Sequence, residues 1–133
     1  MKLVIDTNKL FSFFWKGSLI RKLLLTGHDI YSPEFALEEL DKHKVEILEK
    51  TGLTSEEFRE FKDKLKRAVR FVPFLEYSEK IPESFNLIPE NPKDIDFLAL
   101  ALKLNAGIIS NDKGLKKQSR ITVFNDLELS KLL

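Results

Sequence analysis

Cysteine is absent from the 133 residues, which excludes a disulfide framework, a thiolate metal centre and a cysteine nucleophile together. Histidine occurs only at His28 and His43, too few and too far apart in sequence to suggest a histidine metal centre. An excess of one charge is missing as well. The 22 Lys and Arg nearly cancel the 21 Asp and Glu, leaving +1. No global field announces a nucleic-acid partner, so any such partner has to be read from local patches. No apolar run is long enough to span a membrane, and the N-terminal Leu3-Val4-Ile5 meets Asp6 after three apolar residues, far short of a signal peptide. A cytoplasmic protein without membrane association is expected. Glycine and proline number five each, and no linker, repeat or low-complexity segment stands out. With 43% hydrophobic and 32% charged residues, the chain predicts a single domain over residues 1–133.

Strands and helices alternate along it. Leu3-Val4-Ile5 reads as a buried strand stopped by Asp6-Thr7-Asn8. Apolar residues recur at helical spacing from Lys9 to Thr26, with a break expected at Gly17-Ser18. Asp29-Ile30-Tyr31 is a second strand. Ser32-Pro33-Glu34 then opens a helix predicted to run to about Lys50, and Thr54-Ser55-Glu56-Glu57 opens another. Phe71-Val72 is a third strand; the stretch from Glu76 to Glu90 shows no clear periodicity, and one short helix is expected between Pro73 and Pro82. Asn91-Pro92-Lys93-Asp94 starts a helix whose run Phe97–Leu102 is apolar on most sides. Gly107-Ile108-Ile109 is a fourth strand, Asp112 to Gln118 a short helix, Ile121-Thr122-Val123 a fifth strand and Asn125 to Leu133 a closing helix. This alternation predicts an α/β fold with a parallel sheet of about five strands covered on both faces.

Four acids gain meaning from that topology. Taken singly, Asp6 and Asp112 are turn residues, Asp94 is an acid in a helical first turn and Glu39 is one more surface charge. In right-handed βαβ units, however, helix N-termini and strand C-termini share one edge of the sheet. Asp6 follows the first strand, Asp112 follows the fourth, Asp94 begins the helix between, and Glu39 lies about 9 Å into its own helix. All four can reach one crevice, where open parallel sheets bind ligands. Converging carboxylates repel one another, and a divalent cation relieves the repulsion; an all-oxygen donor set suits Mg²⁺ or Mn²⁺ better than zinc.

The segments Val4-Ile5-Asp6-Thr7-Asn8, Leu37-Glu38-Glu39-Leu40, Asp94 to Ala101 and Ile109-Ser110-Asn111-Asp112 occur in the order of the PIN-domain nuclease family, which the sequence resembles over essentially its whole length. The family pattern puts its helical acid directly before a Leu, which selects Glu39 over Glu38. Its Ala-rich helix selects Asp94 over Asp96, and residues two apart on a helix point about 200° apart. The resemblance implies a three-layer PIN-like sandwich and Mg²⁺- or Mn²⁺-dependent cleavage of single-stranded RNA, with Asp6, Glu39, Asp94 and Asp112 as metal-holding and catalytic residues. Asn8, Ser110 and Asp96 are expected to orient those ligands. Many family members are VapC-type toxins held by an antitoxin, and others mature or degrade RNA.

Two surface features bear on partners. Lys113, Lys116, Lys117 and Arg120 directly follow Asp112 and are candidates for binding the RNA backbone, whereas Lys62, Lys64, Lys66, Arg67 and Arg70 read as a solvated helix face. Phe11, Phe13, Phe14 and Trp15 are too many aromatics for one helix face to bury. They predict either core filling from both sides of the chain or a contact surface for a homodimer or an antitoxin. Rival folds lack their residues: Asp6 has no acidic neighbour for a receiver domain, Asp6-Thr7-Asn8-Lys9 is no glycine-rich turn, and Asn8 stands where a haloacid-dehalogenase-type phosphatase needs a second Asp. A PIN fold without catalytic activity, serving as a binding module, is the remaining alternative.

Overall fold

The computed structural model describes residues 1–133. Strands β1 (Lys2–Ile5), β2 (Asp29–Pro33), β3 (Arg70–Val72), β4 (Gly107–Ile109) and β5 (Val123–Phe124) form one sheet in the order β3-β2-β1-β4-β5, parallel throughout. In the central strand Val4 stands opposite Tyr31 of β2 and Ile108 of β4. Leu3, Val4 and Ile5 are all fully buried, as a strand covered on both faces requires.

The helices are α1 (Thr7–Ser12), α2 (Leu19–Leu23), α3 (Glu34–Lys42), α4 (Lys44–Thr51), α5 (Ser55–Ala68), α6 (Phe74–Tyr77), α7 (Ile81–Leu87), α8 (Ile95–Leu104) and α9 (Asp126–Ser130). Helix α8 packs on β1, β2 and β4, and seven of its ten residues are buried, which accounts for its nearly unbroken apolar sequence. Helix α3 lies on β2 and β3 and touches α1, while α2 meets α9. With right-handed crossovers, this strand order places the β1–β2 and β2–β3 connections on one face and the β3–β4 connection on the other. The result is the three-layer α/β sandwich expected, and no helix is long and apolar enough to cross a membrane.

Local signals set several boundaries as read. Gly17 adopts φ 71°, a left-handed conformation that glycine takes without a Cβ clash, and Ser18 accepts a hydrogen bond from the Arg21 N–H to start α2. Thr54 and Glu57 form a reciprocal capping box at α5. Elsewhere the boundaries move. The helix expected from Pro33 to Lys50 bends at His43 (φ −102°, ψ 14°) into α3 and α4. The short helix expected between Pro73 and Pro82 is α6 followed by a 3-10 turn over Ser78–Lys80, and α7 follows as a further helix that was not expected. The helix expected from Asp112 to Gln118 is only a 3-10 turn over Leu115–Lys117. There the Gln118 side chain donates to the carbonyls of Leu115 and Ile121 and accepts from the Ile121 N–H, replacing helical bonds with a side-chain brace. That brace delays the fifth strand to Val123–Phe124. The closing helix stops at Ser130 rather than Leu133.

The aromatic burst divides between two environments. Phe13 and Phe14 belong to the core, where Phe14 stacks on Phe58 with centroids 5.0 Å apart and Phe13 meets Phe61 edge-on at 5.9 Å. The Arg21 guanidinium sits 4.8 Å from the Phe61 centroid. Phe11 and Trp15 stay half-buried on the other side of the chain.

Candidate functional site

Order β3-β2-β1-β4-β5 reverses direction between β1 and β4, so the crevice beyond their C-terminal ends is the topological switch point. Asp6 leaves β1 in an extended conformation and caps α1, its Oδ1 accepting the Lys9 N–H at 3.0 Å. Its other oxygen, Oδ2, accepts a hydrogen bond from the Ser110 hydroxyl at the end of β4. The same Ser110 Oγ accepts the Asp112 N–H at 3.0 Å, and Asp112 Oδ1 accepts the Gly114 N–H at 2.8 Å. One buried serine thereby joins the ends of the two central strands and sets the turn that aims Asp112.

Asp94 enters from the opposite layer. It closes a 3-10 turn over Pro92–Asp94 and stands at the N-cap of α8, not inside the helix. Asp94 and Asp96 both line the crevice all the same. Asp94 is 5% exposed, and its Oδ2 is buried without any hydrogen-bond partner. Burial first, and then the charge of Asp112, raises its pKa from 3.8 to about 7. Asp6 is also raised, chiefly by burial, with the Ser110 hydrogen bond opposing the shift.

The crevice, of about 500 Å³, brings together Asp6, Glu39, Asp94 and Asp112, with Asp96 and Asn8 also on its walls. Glu39 reaches it from α3 as a half-buried side chain paired with Lys42 at 3.3 Å and His43 at 3.7 Å, whereas Glu38 is exposed on another side of that helix. Asp96 has one oxygen engaged, accepting the Tyr77 hydroxyl at 2.6 Å. Asn8 is exposed and makes no side-chain hydrogen bond to Asp6 or Asp112, so only Ser110 of the expected orienting residues bonds an acid directly. No three carboxylates or imidazoles stand close enough together to enclose a metal ion as they are. The donor chemistry nonetheless fits a hard divalent cation: every candidate is a carboxylate, and one buried oxygen lacks a partner.

Several neighbours carry no sequence signal of their own. Tyr77 lies in the stretch that resisted reading, yet it is 1% exposed and fixes Asp96. Asn91 packs so closely on Gly114 that a Cβ there would stand 2.3 Å from its Oδ1. Lys9 is buried and pairs with Asp126 at 2.6 Å, tying α1 to α9 behind the site.

Among the cations after Asp112, Lys116 pairs with Glu128, Lys117 with Glu90 at 3.6 Å and Arg120 with Glu83 at 3.2 Å; Lys113 makes no ion pair. Lys93, unremarked in the sequence, stands 3.5 Å from Asp112 Oδ2. Lys66, Arg67 and Arg70 of the second cluster line a separate depression beside the N-terminal ends of β2 and β3, the edge opposite the acids, while Lys62 pairs with Asp41 at 2.8 Å.

Comparison with known proteins agrees with this fold. Two solved structures share the fold: a chain of VapBC2 from Rickettsia felis, bound in that crystal to a DNA fragment from its promoter, and a chain of VapBC-1 from nontypeable Haemophilus influenzae. The first has a TM-score of 0.69 at 17% identity and the second 0.66 at 16%, each covering 94% of this chain and 98% of the relative. No curated protein sequence matches the chain. The PIN-domain family profile matches residues 4–122, and the chain therefore belongs to the PIN-domain family.

Proposed function

We propose that the protein, acting as one domain, is a divalent-metal-dependent ribonuclease that hydrolyses phosphodiester bonds of single-stranded RNA, either as a VapC-type toxin or in RNA processing. Asp94 carries the reading. A carboxylate buried with an unpartnered oxygen, beside two more acids and raised to about 7, is unfavourable for folding alone and is the kind of group that a ligand completes. Asp6, Glu39, Asp94 and Asp112 would hold Mg²⁺ or Mn²⁺ and so form the catalytic set. When bound, the cation neutralises charge on the phosphate and acidifies the attacking water. Ser110 holds Asp6 and Asp112 in register, Tyr77 restrains Asp96, and Lys93 and Lys113 supply positive charge at the rim for the RNA backbone.

A second reading draws on the open spacing of the acids: a PIN fold that binds without turnover. Cleavage of a labelled single-stranded RNA with Mg²⁺ or Mn²⁺, by wild type and by Asp6→Asn and Asp112→Asn, with EDTA as control, separates the two. Metal-dependent cutting lost in both variants supports the nuclease. Cutting that survives both substitutions places the chemistry elsewhere, and metal binding without cutting favours the binding module.

Because both structural relatives are VapBC assemblies, we extend the proposal to an antitoxin-like protein partner and to self-association in the cytoplasm. Phe74, Leu75 and Phe85, each at least half exposed on α6 and α7, offer apolar surface for a homodimer. A concentration-independent monomer by light scattering removes the homodimer.

A further inference from the structure

The acid crevice continues past Asp6. Asn8, Phe11 and His43 line it and also line a second cavity of about 480 Å³ that runs along α1 to Trp15. The Phe11 and His43 rings lie 5.1 Å apart, tilted by 54°, and both are half-exposed rather than sunk in the core. Trp15 and Ile47 complete the apolar wall, and Asn8, Ser12 and the Glu46–Lys50 ion pair at 2.8 Å provide polar edges. We infer that this groove receives an unpaired nucleobase adjoining the phosphate held at the acid site. The inference rests on the reading of that site as a ribonuclease centre.

Three observations favour a base over a protein segment. The groove adjoins the acid crevice along three shared wall residues, which puts it within reach of a nucleotide next to the scissile phosphate. Five of its eight lining residues carry hydrogen-bonding side chains and three are hydrophobic. Those three include two aromatic faces set among hydrogen-bonding side chains, the combination that holds a base by stacking while leaving its edges paired. The volume lies in the range of small-ligand pockets. A base inside a duplex is stacked and paired already and cannot enter, so the groove makes the enzyme select single strands through shape rather than sequence.

Trp15 is the only tryptophan in the chain, so its fluorescence reports the groove directly. The Asp112→Asn protein, in Mg²⁺ so that RNA persists, is titrated with a short single-stranded oligoribonucleotide and with a blunt duplex of the same length. Saturable quenching by the single strand and little by the duplex is expected. Phe11→Leu, which keeps apolar volume but loses the aromatic face, should weaken binding roughly 5- to 140-fold, and Phe11→Tyr should restore it. Absence of quenching, equal quenching by duplex, or unchanged affinity in a folded Phe11→Leu protein overturns the inference. Should that variant fail to melt cooperatively, the single-strand and duplex arms still decide. An amphipathic helical peptide that quenches Trp15 where RNA does not assigns the groove to a protein partner and also overturns it. Wild-type cleavage without quenching defeats the groove alone, while quenching without wild-type cleavage defeats the nuclease reading alone.

Discussion

Replacing Asp94 with Asn should stabilise the metal-free protein at neutral and alkaline pH. An acid whose folded-state pKa lies above its unfolded value keeps its proton longer in the folded state. Stability then falls as pH rises from about 4 and levels off above about 7, the two ends of the Asp94 interval. Converted at about 1.36 kcal/mol per unit, the interval from 3.8 to about 7 corresponds to about 4 kcal/mol of destabilisation above pH 7. Solvent at the open mouth of the crevice screens the repulsion from Asp112, and roughly 2 kcal/mol is the expected value. At pH 5 only about a third of the penalty has developed.

Asn keeps the shape and removes the charge. Asp94 makes no side-chain capping bond to α8, so no helix cap is lost in the exchange. Urea unfolding of wild type and Asp94→Asn in EDTA, at pH 5 and pH 8, reads the difference. Asp94→Asn should be the more stable protein at pH 8 by roughly 2 kcal/mol, with a smaller margin at pH 5. Equal stability at pH 8, or a margin that does not change with pH, refutes the claim that burial and Asp112 hold this carboxyl in an unfavourable state. The same variant should also respond less to Mg²⁺, because a ligand that binds only the folded state stabilises it by RT ln(1 + [L]/Kd), which shrinks as affinity falls.

Ser110→Ala removes the donor to Asp6 and the acceptor for the Asp112 N–H; it should cost about 1–3 kcal/mol in denaturant unfolding and weaken Mg²⁺ binding about 10- to 100-fold by calorimetry. Gly114→Ala drives a Cβ against the Asn91 amide and should cost about 1–3 kcal/mol, read from the same unfolding curves. Lys113→Gln should flatten the salt dependence of RNA binding by close to one unit of slope, and Lys117→Gln, already paired with Glu90, by less; equal slopes in both variants remove the distinction.

The sheet was legible because β1 and β4 are short apolar runs whose neighbours are turn residues, and their burial on both faces leaves a parallel, helix-covered sheet as the consistent arrangement. Boundaries set by tertiary contacts were not. His43 sits inside a continuous helical pattern, yet its ring lies on Phe11 and the helix bends there. Gln118 replaces a helical turn by side-chain bonds that no periodicity foretells. Phe13 and Phe14 were separable from Phe11 and Trp15 only once α5 supplied Phe58 and Phe61 as partners for one pair. Tyr77 falls in a segment without clear periodicity, and its importance arises wholly from a residue nineteen positions away.

The acids themselves show why a structural reading and a functional one need not compete. Asp6 is a helix cap, as its place after a strand implies, and Asp112 is a turn residue, as its neighbours imply. Those local bonds hold the two carboxylates still at the strand ends, and Ser110 couples them. Hydrogen bonds from Ser110 and Lys9 oppose the burial of Asp6 without cancelling it. Asp94 alone has no hydrogen bond at all to its inner oxygen. Asp94 is thus the one acid whose burial local structure does not explain, and the other three matter because the topology delivers them to the same crevice.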